Sequence, residues 1–172
     1  GGHRVPFIAR WPGRIRPGAN SDQLICLVDM PATMAALTGY PLKPGEFPDS
    51  VNVLDTLVGN PAKPPRDGVV LAPSRKSHLA IRQGRWIYIG AQGGGGFGGT
   101  KPGEHALGGP AALKFTGERN SDIVDGRLRP DAPPAQLYDL VVDPSQATNV
   151  IRRHPDVAER LKRLLVGSVD GA

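Results

Sequence analysis

One stretch constrains this chain more than any other. The forty-four residues from Ala91 to Pro134 carry no sustained helical or strand period. They include the run GGGGFGG (Gly93 to Gly99), a second glycine pair at Gly108-Gly109, and Pro133-Pro134. Ordering glycine costs the most backbone entropy and proline lacks an N–H donor, so such a stretch extends neither helix nor sheet. A loop this long in a folded domain is either functional or disordered.

Composition sharpens the picture. Gly (23) and Pro (18) together make 41 of 172 residues, just short of the low-complexity range, so many turns and few long helices are expected. Hydrophobic content of 39% against 22% charge argues for a folded chain. Its length suits one domain of ordinary size. A single cysteine excludes an internal disulfide framework and any multi-Cys zinc site. No apolar run approaches the ~18 residues of a membrane-spanning helix, so no membrane partner is expected. The chain opens on Gly1-Gly2 without an initiator methionine or signal segment, which reads as a fragment whose upstream part is missing, and localisation is left unknown.

Short elements flank the irregular stretch. Val5 to Trp11 (VPFIARW) reads as a buried strand ended by Pro12-Gly13, with Pro6 favouring a strand start or an edge. The apolar run Leu24 to Val28 leads into Asp29, a candidate N-cap for a helix over Met30 to Thr38 that Gly39 stops. Met30, Met34 and Leu37 would form its apolar face. Val53 to Val58 reads as one or two helical turns, and NPAKPPRD (Asn60 to Asp67) as a subdomain boundary. Beyond it, Val69 to Ala72 is a short strand, and His78 to Arg82 with Arg85 to Gly90 form a hairpin turning at Gln83-Gly84. Gln136 to Leu140 is strand-like. Pro155 to Val166 is the clearest helix, with Val157, Leu161, Leu164 and Leu165 as its core stripe.

Motifs that carry chemistry are weak. Gly93, Gly95 and Gly98 satisfy G-x-G-x-x-G, but no helix begins after them, so a flexible loop is the better reading than a phosphate cradle. The four histidines have no metal-ligand spacing. His105, in the long loop near Lys101 and Glu104, is the most plausible substrate contact; His78 lies on the first hairpin strand, where a structural role is favoured; His154 reads as a cap or a solvated residue. Asp122, Asp125 and Asp131 lack EF-hand spacing and read as a solvated turn. Cys26 reads as a small buried residue without chemistry. The net charge of +5 suggests a solvated basic face, or one meeting an anionic substrate, with Arg75, Lys76, Arg82 and Arg85 among its candidates. Aromatic content of 5% is too low for a nucleic-acid stacking platform, so no nucleic-acid partner is expected.

Four segments in order resemble the C-terminal third of the type I, formylglycine-dependent sulfatases. Gly1-Gly2-His3-Arg4-Val5-Pro6 with Trp11-Pro12-Gly13 resembles G-G-x-R-x-P…W-P-G, and Asp29 to Gly39 resembles D-x-x-x-T-x-x-x-L-x-G. Ala80 to Ile89 is similar to A-I-R-x-G-x-W-K-Y-I, with Ile87 where Lys is usual. Leu137 to Asn149 is similar to L-Y-D-L-x-x-D-P-x-E-x-x-N, with Gln146 replacing Glu.

The resemblance implies an α/β, alkaline-phosphatase-like fold. Residues 1–62 would end the catalytic domain, and 63–172 would form a C-terminal subdomain: a small four-stranded antiparallel sheet packed with a C-terminal helix, the long loop (91–134) within it. The implied reaction is sulfate-ester hydrolysis by a hydrated formylglycine beside calcium. The implied substrate is a sulfated small molecule or carbohydrate, and the implied compartment is periplasmic or secreted. None of the catalytic residues carries over: Cys26 is followed by Leu27-Val28-Asp29-Met30, which fails [CS]-x-P-x-R, and no metal ligand matches. The expectation is a fragment without catalytic or metal residues that supports the missing N-terminal catalytic part and lends Lys101, His105 and His78 to the substrate rim. The alternative is a non-catalytic basic module for sulfated polysaccharide.

Overall fold

Asp29 organises the first elements of the chain. A computed structural model describes residues 5–59, 61, 63–73, 76–94 and 113–170. A 3-10 turn over Leu27–Asp29 runs directly into helix α1, Met30–Thr38. The Asp29 side chain does not cap α1. Fully buried, it instead accepts hydrogen bonds from the Cys26 N–H (2.7 Å), the Val51 N–H (3.1 Å) and the Arg66 guanidinium. Thr33 extends the tie: its hydroxyl donates to the Asp29 carbonyl at 2.7 Å and accepts from the Val53 N–H at 3.0 Å. Helix α1 ends where expected, with Gly39 in the left-handed region (φ 71°), which a side chain would strain. Helix α2 is the short Leu54–Val58.

Two expectations fail in this part. Val5 to Trp11 forms no strand and joins no sheet among the described residues, and Ile8 is 92% exposed. Helix α1 buries Ala32, Thr33 and Ala35, whereas Met34 and Leu37 of the expected core stripe are exposed.

The remaining strands are β1 (Val69–Leu71), β2 (Ala80–Gln83), β3 (Trp86–Ile89), β4 (Ile123–Val124), β5 (Arg127–Leu128) and β6 (Gln136–Asp139). One sheet has the order β1-β2-β3-β6, with β2–β3 and β3–β6 antiparallel. Ile81 pairs with Tyr88, and Tyr88 with Leu137. Alternation along the strands puts these three on one face, where Ala158, Leu161 and Leu165 of helix α4 (Pro155–Asp170) pack on them. Leu137 and Leu161 are completely buried, each worth ~1.5–3 kcal/mol of apolar transfer. Leu164, expected in that stripe, is 40% exposed, because Ala158, Leu161 and Leu165 set the phase of the helix and Leu164 lies off their axis. The opposite face buries Ala80, Ile87 and Tyr138.

The stretch 91–134 is not wholly irregular. It holds the single turn α3 (Leu113–Thr116) and the β4–β5 hairpin, whose turn residues Asp125 (φ 50°) and Gly126 (φ 70°) both take positive φ. Asp-Gly is the sequence mark of that turn type. The chain divides into two compact units, residues 1–69 and 70–172. No helix among the described residues is long and apolar enough to cross a membrane.

Candidate functional site

Of the three residues expected at a substrate rim, Lys101 and His105 lie outside the described residues, as does most of GGGGFGG. His78 is described. It sits in a 3-10 turn over Lys76–His78 just before β2, not on the strand, and is buried. Its Nε2 lies 2.7 Å from the Gln92 carbonyl oxygen, which requires a proton on Nε2, and its Nδ1 lies 3.0 Å from the Ser77 hydroxyl. Both ring nitrogens are thereby used in holding main chain and a neighbouring side chain.

His78 belongs to a larger polar cluster around residues 91–93. The Gln136 amide, on β6, donates from Nε2 to the carbonyls of Ala91 (2.5 Å) and Gly93 (2.9 Å). Its Oε1 accepts from the Tyr138 hydroxyl at 2.7 Å, and that hydroxyl accepts from Asn120 Nδ2 at 2.8 Å. Gln92 in turn donates to the Ala132 carbonyl at 2.8 Å. Period-two alternation aims Gln136 and Tyr138 at the face away from α4. Burial pushes the Tyr138 phenol up to about 12, the Asn120 donor opposing that shift only in part, so at neutral pH it stays protonated and serves as a donor.

Asn149 ties the next layer. Its Oδ1 accepts from the N–H groups of Leu137 (3.0 Å) and Ile151 (3.1 Å), and its Nδ2 donates to Asp122 Oδ2 (2.7 Å) and the Ala135 carbonyl (3.1 Å). Asp122 is therefore buried, contrary to the solvated turn expected for it, because Asn149 and Ser121 supply its donors. Of its expected companions, Asp131 is exposed and paired with Arg129, and Asp125 forms the β4–β5 turn. His154 packs its ring on Trp86, with centroids 5.0 Å apart, instead of standing free in solvent. Cys26 is half-buried and free.

Matched donors and acceptors of this kind fix main-chain positions. Sequence reading missed Asn120, Gln92 and Gln136, whose partners lie up to 45 residues away and leave no local signal. The four candidates for a basic face are placed as follows. Arg85 is spent on Asp139, Arg82 is half-buried with an unpartnered Nε, Lys76 is exposed, and Arg75 lies outside the described residues.

No protein-family model matches the chain. An N-acetylgalactosamine-6-O-sulfatase of Bacteroides thetaiotaomicron is 34% identical over 164 residues, covering 95% of this chain and 27% of that protein. Human arylsulfatase A is 30% identical over 173 residues, covering 95% of this chain and 30% of its own length. The chain belongs to the type I sulfatase family. It corresponds to the C-terminal portion of these sulfatases and spans 27–30% of their length. A solved structure from work on glycosaminoglycan metabolism by Bacteroides thetaiotaomicron superposes with a TM-score of 0.66 at 29% identity, over 97% of this chain and 29% of that one. The small sheet and C-terminal helix are thus the C-terminal part of an alkaline-phosphatase-like sulfatase fold.

Sulfatases as a family imply calcium and formylglycine. Among the described residues, no three His, Cys, Asp or Glu side chains gather where they could hold a metal ion. Asp29, the most buried carboxylate, is already filled by Arg66 and two main-chain N–H donors. Cys26 lacks the x-P-x-R sequence that formylglycine formation uses in this family. The described residues do not fit either group.

Proposed function

We propose that this chain serves as the supporting C-terminal portion of a sulfuric ester hydrolase acting on a sulfated carbohydrate. In this reading it contributes no nucleophile and no metal ligand. Its role is to hold the entry to the 91–134 stretch at the substrate rim, where Lys101 and His105 are the candidate contacts. The observation that carries the reading is the match to sulfatases over 95% of the chain but only 27–30% of their length. The cluster of His78, Gln92, Gln136, Tyr138 and Asn120 supports it, because a fixed base is what a rim loop needs in order to present side chains reproducibly. Residues 1–62 would then close the catalytic domain and 63–172 form the subdomain beside it.

The test is hydrolysis of an aryl sulfate and of N-acetylgalactosamine-6-sulfate. The 172-residue chain with added calcium is expected to match the blank. The same chain spliced in place of the matched region of the Bacteroides thetaiotaomicron sulfatase is expected to turn over, with KM raised more than kcat is lowered when Lys101 and His105 are changed to Ala. Turnover by the isolated chain would overturn the assignment.

A further inference from the structure

Charge is laid out unevenly in residues 1–69. Arg4, Arg10, Arg14 and Arg16 all precede the first acid, Asp22, and from there to Val69 acids outnumber bases. Arg4 lies outside the described residues. The side chains of Arg10, Arg14 and Arg16 are exposed. Unlike Arg66, Arg85 and Arg129, none of the three has a carboxylate partner or a side-chain hydrogen bond among the described residues.

Two Pro-Gly turns hold this basic segment in shape. The Trp11 carbonyl accepts from the N–H groups of Arg14 (3.0 Å) and Ile15 (2.9 Å), and the Arg16 carbonyl accepts from that of Ala19 (3.2 Å). Gly13 (φ 80°) and Gly18 (φ 70°) each follow a proline, the pattern of a type II turn. Such a turn brings Cα atoms three residues apart to within ~7 Å, which sets Arg14 beside Trp11 and its neighbour Arg10. The Arg14 guanidinium lies over the Trp11 ring, 5.7 Å from its centroid, and Trp11 and Ile15 are half-buried. Burying an unpaired guanidinium is costly, so an apolar neighbour does not suit this turn. Water or an anion does.

We propose that the turn from Arg10 to Arg16 is a binding surface for a sulfated polysaccharide, whose sulfate groups sit on the three free guanidiniums. The proposal rests on the reading of the chain as part of a hydrolase of sulfated carbohydrate, which supplies the class of anion. All three cations are arginine. A guanidinium presents a planar fork of N–H donors to two oxygens of one oxyanion and is more weakly hydrated than an ammonium, so it gives up water more readily on pairing. The two turns fix the backbone in advance, which lowers the ordering cost of binding. A nucleic-acid strand fits less well, because the one aromatic of the turn, Trp11, already carries Arg14 over its ring and offers little for bases to stack on.

Titration of the 172-residue chain with a heparin oligosaccharide, with hyaluronan and with single-stranded DNA tests it. Heparin is expected to bind, and to bind at least about 10-fold more weakly at ~200 mM than at ~50 mM salt. The triple variant Arg10→Gln, Arg14→Gln, Arg16→Gln is expected to lose at least about 10-fold in heparin affinity without moving the urea midpoint, since all three side chains are exposed. Arg153→Gln, Lys162→Gln, Arg163→Gln takes the same charge from the exposed side of α4 and is expected to change affinity by less than about 2-fold. Equal losses in the two triples would show attraction to net charge alone and overturn the proposal. Hyaluronan, which carries carboxylates and no sulfate, binding as tightly as heparin would overturn it too, and DNA binding more tightly would assign the surface to nucleic acid. Heparin binding by the chain, with no ester hydrolysis by the splice, removes the sulfatase reading and leaves this surface standing. Hydrolysis by the splice, with no heparin binding by the chain, does the reverse.

Discussion

Arg85, in the turn just before β3, grips Asp139, at the end of β6, through two parallel hydrogen bonds, with Nε 2.7 Å from Oδ1 and Nη2 on Oδ2. The pair closes the sheet at the level where Trp86 stands opposite Asp139 in the register. Asp139 Oδ1 also accepts the Val141 N–H at 3.1 Å, which begins the turn after β6. Hydrogen bonding to Arg85 holds the Asp139 carboxyl below its ordinary value, and the same bond raises the guanidinium.

A depressed carboxylate binds its proton more weakly folded than unfolded, so its contribution is present above the unfolded value of ~3.9 and fades as pH falls below it. Urea midpoints of the chain should therefore drop between about pH 4 and pH 2. Asp139→Asn should lower the midpoint at neutral pH and flatten that acid limb. Asp131, held down by Arg129, acts in the same sense and sets the residual slope. Identical acid limbs in the two proteins would rule the pair out as a stabilising contact.

Tyr138 gives the opposite sign. Its phenol is pushed up to about 12, so its contribution holds below the unfolded value of ~10 and is lost as pH rises from there. Burial raises Tyr88 as well, so an ultraviolet phenolate titration should show a late limb whose latest part disappears in Tyr138→Phe. That variant leaves Asn120 and Gln136 short of a partner and should cost about 1–3 kcal/mol in urea unfolding. A titration completed near 10 would contradict the buried placement.

Asn149→Ala should be among the costliest polar substitutions in residues 70–172, about 2–3 kcal/mol, since it removes a side chain that serves four hydrogen bonds at once. The signature is local. Amides of Leu137 and Ile151 should exchange faster than those of β2, and unchanged exchange at both would contradict the hub.

In residues 1–69 the corresponding test is Asp29→Ala. It strands the Arg66 guanidinium, whose side chain is 13% exposed, and frees the Cys26 and Val51 amides. Removing one partner of a buried pair costs about 3–5 kcal/mol. Exchange at Cys26 and Val51 should approach that of an unfolded segment, while residues 136–139 keep their protection.

Local residue pattern was enough for several elements. Gly39 stops α1 because only glycine takes φ 71° without strain, and Pro155 opens the long helix. The β2–β3 hairpin was legible too, but it turns at Gly84-Arg85 and not at the expected Gln83-Gly84, because Gln83 pairs with Trp86 as the last residue of β2. The family, too, was legible, since motif order survives in the linear sequence. The positive-φ turn at Asp125-Gly126 was written there as well, although the surrounding glycines and prolines obscured it. Tertiary structure decided the rest. That Asp122 is buried, that His78 holds the Gln92 carbonyl, and that Gln136 reaches back 45 residues to Ala91 depend on which strands meet. The exposure of Val5 to Arg10 belongs with these. Hydrophobic periodicity reports that a segment will be buried, but the surface that buries it is set by long-range packing, which no window of neighbouring residues encodes.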